Sequence, residues 1–189
     1  MEFVEPFKDI QHILALKKFF KEHSQRDYLL FVMGINTGMK INELLSLKLN
    51  DILDENQNLK HFCILHNPAS GITSSYPLNS KVKEALSLYL KSRDSLGEDY
   101  LFISAKTQKP ISRQQAHRII HDALDHLGIR GRFGTGSMRK TFGYFAYIKG
   151  ISISIIQKCY HHSSPSETYK YLGLTKEDTD QQVFIDVNL

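Results

Sequence analysis

The stretch HHSSPSETYKYLGL, residues 161–174, holds side chains that could carry out a nucleophilic substitution. It places Tyr169 and Tyr171 two positions apart, shortly after the pair His161 and His162. A phenol has an ordinary pKa of about 10, so it is mostly protonated at neutral pH and attacks only with help from neighbouring groups. The stretch therefore raises two questions: which tyrosine would react, and which groups elsewhere in the chain would activate it.

Basic residues are concentrated in the part of the chain that leads to this stretch. Residues 101–171 contain eleven Lys and Arg against three Asp and Glu, together with five histidines. Residues 1–100 carry a net charge of −1, and residues 172–189 carry −3. Such a basic block favours a polyanionic partner, most commonly nucleic acid. A solvated basic face without a partner is the alternative that charge alone leaves open.

Composition argues against several other classes of protein. The chain has 189 residues, 41% of them hydrophobic, which is enough for one domain with a core. No apolar run approaches 18 residues, and the acidic N-terminus lacks the profile of a signal peptide. Cys63 and Cys159 stand alone, which predicts neither a disulfide framework nor a zinc site. We therefore expect a cytoplasmic protein with no zinc site and no membrane association.

Hydrophobic periodicity predicts a helical domain with one β-hairpin. Residues 59–79 read as two short strands around the turn sequence NPASG, and a glycine-rich loop is predicted at residues 130–137. Helices are predicted at residues 6–23, 26–38, 41–53, 80–93, 112–128, 138–150 and 153–160. The helix at 112–128 has a polar face whose side chains can read base edges and phosphates: Arg113, Gln114, His117, Arg118 and His121. A solvated amphipathic helix carries much the same residues.

Four separated blocks resemble the catalytic domain of the tyrosine recombinase, or phage integrase, family. In the family's order and spacing they are NTGMKINELLSLKLNDI, EDYLFIS, GSMRKTFGYFAYIKGISISIIQK and HHSSPSETYKYLGL. The resemblance covers nearly the whole chain and looks closest to short integrase-like proteins of Gram-positive bacteria and their phages. It implies a mainly α fold with a small antiparallel β-hairpin sheet, with the catalytic-like domain at residues 1–175 and a C-terminal tail at residues 176–189.

The resemblance implies a reaction on double-stranded DNA that needs no cofactor or metal. In the family a tyrosine attacks a phosphodiester to form a 3′-phosphotyrosine link, two arginines hold the phosphate oxygens, and a hairpin lysine protonates the leaving 5′ oxygen. The family's spacing from its late histidine to its nucleophile matches His162 and Tyr171, which leaves Tyr169 as a packing or surface residue. Arg139 matches the second arginine, and Glu43 matches the acidic residue that follows the first.

Three positions depart from the family pattern. Lys40 stands where the first arginine is expected, and lysine keeps the charge but loses the planar fork. Gly136 stands three residues before Arg139, where the family has histidine or lysine, and no lysine lies between Lys60 and Lys81 in the hairpin. Because losing one preorganised donor typically costs about 10²–10³ in rate, these departures favour weak cleavage or none.

Two hypotheses follow. The favoured one is a DNA-binding protein with a degenerate active site, acting as a phage or mobile-element regulator or accessory factor. The alternative is an active site-specific recombinase in which Lys40 and nearby histidines such as His161 substitute for the missing groups. A protein-interaction module that no longer touches DNA is a third class, which the basic block disfavours.

Both leading hypotheses predict the same DNA contacts and the same second interface. Arg113, Gln114, His117 and Arg118 are expected in the major groove, while the phosphates are expected to meet Lys40, Arg132, Arg139 and Lys140. The alternating tail sequence QQVFIDVNL is expected either to dock on a second copy of the chain, giving a homo-oligomer, or to fold back on its own domain.

Overall fold

The computed structural model describes residues 4–68, 71–93 and 100–180, which form ten helices and one β-hairpin. The helices are α1 (Ile10–His23), α2 (Gln25–Thr37), α3 (Ile41–Ser46), α4 (Leu49–Ile52), α5 (Ser80–Lys91), α6 (Arg113–His126), α7 (Thr135–Ile148), α8 (Ile153–Tyr160), α9 (Pro165–Leu172) and α10 (Lys176–Asp180). The strands β1 (Phe62–Asn67) and β2 (Ile72–Pro77) pair antiparallel. The predicted mainly α fold with a small hairpin sheet is therefore confirmed. Within these ranges no helix is long and apolar enough to span a bilayer.

Helix α2 lies at the centre of the core because its sequence is apolar on every side. Its residues 28–33 are at most 6% exposed, and the helix packs against α1, α5 and α7. Gly34 allows the close approach to α7: a Cβ there would lie 2.5 Å from the Sδ of Met138 and 2.8 Å from its Cβ. The position of α7, which carries Arg139, is thus fixed by direct packing against the most buried helix.

The single helix predicted at residues 41–53 is wrong, since the structure divides this segment into α3 and α4. Leu47 leaves the helical conformation, and its carbonyl oxygen accepts a hydrogen bond from the backbone of Leu101 at 2.7 Å. Lys48 also forms a β-bridge with Tyr100. Pairing with this distant segment outweighs local helix propensity, which sequence periodicity cannot reveal.

Helix α7 begins at Thr135, three residues earlier than predicted, so part of the expected glycine-rich loop is helical. The Ser137 hydroxyl accepts a hydrogen bond from the Gly134 backbone N–H at 3.1 Å. This N–H at the start of the helix therefore has a partner. Gly136 therefore lies in the first turn. Positions 136 and 140 are four residues apart on one helix and share a face.

A second hydrophobic cluster holds α9 against α7 and α8. Its buried members are Tyr147, Ile156, Tyr160 and Leu172. The helices approach closely at Gly143, where a Cβ would lie 2.6 Å from Leu172 and 2.7 Å from the Tyr160 hydroxyl. This cluster decides where the tyrosine-bearing helix sits relative to Arg139.

The beginning of the tail packs on its own domain. Asp178 in α10 accepts a hydrogen bond from Lys8 Nζ at 2.8 Å and another from the Tyr144 hydroxyl at 2.8 Å. These contacts, with burial opposing them, lower the pKa of Asp178 to about 2. The whole predicted docking segment, residues 181–189, lies outside the described residues.

Candidate active site around Tyr171

Local sequence fixes where α9 begins and ends. The Ser164 hydroxyl caps its first turn by accepting from the Glu167 backbone N–H, Pro165 occupies the first turn, and Gly173 ends the helix in the left-handed conformation. Tyr171 lies in the last turn and points back toward α7 and α8. The helix is short and well capped at both ends, so the tyrosine is held on a rigid element.

The Tyr171 ring is surrounded by aromatic and cationic side chains. Its centroid lies 4.9 Å from that of His162 and 5.6 Å from that of Tyr160, both in edge-to-face geometry. The Nζ of Lys140 lies 4.7 Å from the centroid of the Tyr171 ring. Burial raises the pKa of the Tyr171 hydroxyl, while Arg139 opposes the rise through its charge and a side-chain hydrogen bond.

Arg139 is buried next to Tyr171 and is held in place by Tyr160. Only 8% exposed, it stacks its guanidinium carbon 4.2 Å from the ring centroid of Tyr160. The Tyr160 hydroxyl in turn donates a hydrogen bond to the Arg139 backbone oxygen at 2.6 Å. Burial strongly raises the pKa of Tyr160, so this hydroxyl stays protonated and serves as a support. The guanidinium is therefore preorganised before any anion arrives.

His162 is held by a hydroxyl from the next helix. Its Nδ1 lies 3.0 Å from the Thr168 hydroxyl, which is fully buried in α9. Burial lowers the pKa of His162, the charge of Arg139 acts in the same direction, and Glu167 opposes both. The imidazole is consequently neutral at neutral pH and can accept a proton. His161 instead ends α8 in the left-handed conformation, with its side chain exposed.

Lys40 and Glu43 lie at the start of α3. The Lys40 side chain is exposed, and its backbone N–H donates to the Glu43 carboxylate at 2.6 Å. The same carboxylate oxygen accepts a hydrogen bond from the Tyr76 hydroxyl of β2 at 3.1 Å. Burial and then the Glu43 charge raise the pKa of Tyr76 to about 12, while the Arg139 charge acts against them. The hairpin thus contributes Tyr76, which lies close enough to Arg139 for the charge of the arginine to act on it.

A cavity of about 740 Å³ opens beside Tyr171, between α6, the start of α7, α9 and the N-terminal segment. Of the predicted site residues, Tyr171 and the DNA-binding candidates Arg113, His117, Arg132 and Lys140 line it, together with His121 and Lys170. Gln114 and Arg118 are exposed on α6 and do not line it. Across the described ranges, no group of three or more His, Cys, Asp or Glu is arranged to hold a metal ion. A second cavity, about 910 Å³ at the turn after α4, contains none of the predicted site residues.

Two of the predicted phosphate contacts are already engaged within the chain. Lys140 is only 6% exposed and lies against the Tyr171 ring, so little of its side chain is available at the surface. Arg132 is exposed but pairs with Glu5, with its Nη2 2.9 Å from the carboxylate. Val4, next to Glu5 in the chain, lies against Gly136, where a Cβ would be 3.1 Å from the Cγ2 of Val4. The N-terminal segment therefore covers the position that lacks a side chain.

Sequence reasoning missed the supports of the site. Tyr160 backs Arg139, Thr168 holds His162, and Tyr76 binds Glu43. Each contact joins separate elements, so no local pattern identifies it. Lys140 was predicted as a phosphate contact but not as a neighbour of Tyr171, although its position four residues after Gly136 places the two on one helical face.

Tyr169 lies on a different side of α9 from Tyr171. Its ring packs edge-to-face on Tyr147 with centroids 5.9 Å apart. Burial and the hydrogen bond with Tyr169 raise the pKa of Tyr147 to about 12. In the described structure Tyr169 is thus a packing residue of the second cluster and does not line the cavity.

Comparison with known families decides the assignment of the chain. The model of the phage integrase family matches residues 6–178. The chain belongs to this family. It is 34% identical over 179 residues to the "Probable integrase/recombinase YoeC" of Bacillus subtilis, covering 95% of this chain and 94% of that protein. It is 31% identical over 150 residues to the "Type 1 fimbriae regulatory protein FimE" of Escherichia coli K12, covering 77% of this chain and 73% of that protein.

Solved structures show the same fold in this integrase-family chain. XerA recombinase superimposes with a TM-score of 0.77 at 23% identity, over 94% of this chain and 64% of that one. A second match is XerH site-specific recombinase in a post-cleavage complex with its palindromic difH substrate. It superimposes with a TM-score of 0.73 at 18% identity, over 92% of this chain and 50% of that one. The integrase-family domain thus spans about half to two thirds of these recombinases, and its fold is that of the tyrosine recombinase catalytic domain.

Proposed function

We propose that this protein binds double-stranded DNA and transfers a strand through Tyr171, as a site-specific tyrosine recombinase. The observation that carries the proposal is the packing around Tyr171. Arg139 acts on the hydroxyl and counteracts the rise of its pKa, the ring contacts His162, and Lys140 lies over its face. A tyrosine kept only for packing needs no such set of cationic and basic neighbours. The contacts therefore support the active alternative over the degenerate one that the sequence favours.

The DNA partner is supported by charge and by similarity. The cavity beside Tyr171 collects basic side chains from three helices and a loop, and phosphodiesters are the anions that such a surface attracts. The superimposed XerH structure is a complex with DNA. We infer that α6 lies along the duplex, with Arg113, Gln114, His117 and Arg118 toward the bases, while Arg139 meets the phosphate.

The reaction exchanges one phosphorus–oxygen bond for another. The Tyr171 oxygen bonds to phosphorus while the bond from phosphorus to the 5′ oxygen breaks, and the proton lost by the phenol balances the proton that the 5′ oxygen gains. The Arg139 fork fits two non-bridging oxygens, and its stacking on Tyr160 fixes it before the phosphate arrives. We assign acceptance of the phenolic proton to His162, whose lowered pKa keeps it neutral and whose ring lies next to that of Tyr171.

Covalent trapping tests the proposal. The protein is incubated with nicked duplexes tiled across the DNA that flanks its own gene, so that a short cleaved fragment diffuses away and the 3′-phosphotyrosine adduct accumulates. We expect a band of higher mass on a denaturing gel that protease removes. Absence of an adduct on every duplex that the protein binds would contradict strand transfer and leave DNA binding standing.

Duplex binding by α6 is a separate expectation. The double variant Arg113→Ala with Arg118→Ala should bind its preferred duplex about tenfold or more weakly, because each good base contact is worth about 1–3 kcal/mol. Fluorescence anisotropy at several salt concentrations measures the affinity and the salt slope. Lys91→Ala, which removes an exposed cation at the end of α5, is the matched control and should change little. Equal affinities of all three proteins would exclude α6 as the reading helix.

A DNA-binding regulator is the second candidate function. It is favoured by Lys40 in place of a forked arginine, by Gly136, and by a hairpin without lysine between residues 60 and 81. Similarity to a protein named for fimbrial regulation is compatible with this role. Under this candidate the contacts of Arg139 serve phosphate binding alone, and Tyr171 forms no covalent bond with DNA.

A further inference from the structure

Lys140 is a buried cation at a position where the family pattern does not predict a catalytic residue. It lies one helical turn after Gly136 and lines the same cavity. Only 6% of its surface is exposed, although a lysine is rarely buried without a specific partner. Its Nζ lies 4.7 Å from the centroid of the Tyr171 ring, within the range of a cation–π contact.

We propose that Lys140 is the positioning residue of Tyr171, holding the ring by its face and supplying the positive charge that is missing at position 136. This inference rests on the proposed function in one respect, the identity of Tyr171 as the nucleophile. Lys140 itself neither gains nor loses a proton in the exchange of bonds. It acts through Tyr171, whose oxygen gains negative charge as its proton leaves, and a nearby cation stabilises that charge.

Two features make this contact more than packing. Arg139 and Lys140 are consecutive on α7 and both contact Tyr171, so the tyrosine is held between two cations of one rigid helix. At Gly136 a Cβ would lie 3.1 Å from the Cγ2 of Val4, so the N-terminal segment occupies the space of the missing side chain and no charge stands there. Lys140 is thus a cation on the same face of α7 as Gly136, and it contacts the ring of the nucleophile.

The surroundings of Lys140 determine its response to pH. Burial lowers the pKa of Lys140, and the Glu5 carboxylate opposes this shift. Other groups face the same cavity: Arg113, His117 and His121 from α6, Arg132 from the loop, and Glu167 and Lys170 from α9. Because its pKa is lowered, the Lys140 cation is present at low and neutral pH and is lost at a lower pH than that of an ordinary lysine. Arginine would keep the charge throughout.

Two substitutions separate charge from shape. Lys140→Met keeps the apolar stem without the charge, and Lys140→Arg keeps the charge without the low pKa. At neutral pH we expect adduct formation by Lys140→Met to be about tenfold slower than in the wild type, and that by Lys140→Arg to stay within about threefold. Between about pH 6 and pH 9.5 the wild type should lose rate at the alkaline end, and Lys140→Arg should not. Thermal melts and duplex affinities report whether each variant is folded.

A second measurement does not depend on cleavage. The titration of Tyr171, followed in the free protein by the NMR signal of its labelled Cζ, should give the lowest pKa in Lys140→Arg, an intermediate one in the wild type and the highest in Lys140→Met. This ranking without any adduct would support the contact and refute strand transfer. If the wild type forms the adduct and all three proteins show identical rates, pH profiles and Tyr171 titrations, the role of Lys140 is overturned. The proposed strand transfer then still stands. Equal slowing of both variants with unchanged pH profiles and titrations would also overturn the inference about Lys140, since it indicates a packing role. Should Lys140→Met fail to fold, the arginine variant still decides through its alkaline limb and its Tyr171 titration.

Discussion

Tyr171→Phe is expected to abolish the covalent DNA adduct while leaving duplex affinity and folding unchanged. The substitution removes one oxygen and keeps the ring that packs against His162, Tyr160 and Lys140. Because the oxygen is the only group that can bond to phosphorus, the rate should fall below detection, as for other enzymes that lose their nucleophile. Denaturing gels of nicked duplexes measure the adduct, and anisotropy measures the affinity.

Tyr169→Phe is the matched control. It makes the same chemical change two residues earlier, where the hydroxyl meets Tyr147 in the second hydrophobic cluster. We expect it to form the adduct at the wild-type rate. Loss of the adduct in this variant with retention in Tyr171→Phe would reassign the nucleophile. Full biological function of Tyr171→Phe, with no adduct from the wild type, would establish the regulator in place of the recombinase.

Arg139→Ala should have the second-largest effect, because three roles depend on one guanidinium. It approaches the Tyr171 hydroxyl, stacks on Tyr160 and is the predicted phosphate clamp. We expect adduct formation to fall by about 10²–10³ and duplex affinity to fall as well. The lost stacking should also lower the free energy of unfolding by about 1 kcal/mol. Single-turnover trapping, anisotropy and urea denaturation measure the three losses separately.

Two further variants show what the guanidinium contributes. Arg139→Lys keeps the charge but not the planar fork, so its rate should lie between those of the wild type and the alanine variant. Arg130→Ala removes an exposed arginine nine residues earlier and should leave the rate of adduct formation unchanged. If Arg139→Ala formed adduct as fast as Arg130→Ala, the guanidinium would have no part in the chemistry.

The approximate bounds of the hairpin and of most helices could be predicted from the sequence, because they follow from the pattern of neighbouring residues. Hydrophobic periodicity located the hairpin and most helices, and the separated blocks identified the family to which the chain belongs. Two departures from the predicted bounds have causes that periodicity does not detect. Residues 41–53 form two helices because Leu47 pairs with Leu101, and α7 starts early because Ser137 satisfies the backbone of Gly134.

The sequence by itself determined the family, the candidate tyrosine and the departures at Lys40 and Gly136, since these follow from residue type and spacing. Only the tertiary structure decided the environment of that tyrosine. Arg139 and Lys140, consecutive on α7, reach it because Gly143 lets α7 approach α9 closely. Such contacts depend on how three helices pack, and packing is decided by side chains far apart in the chain, whose proximity no local pattern records.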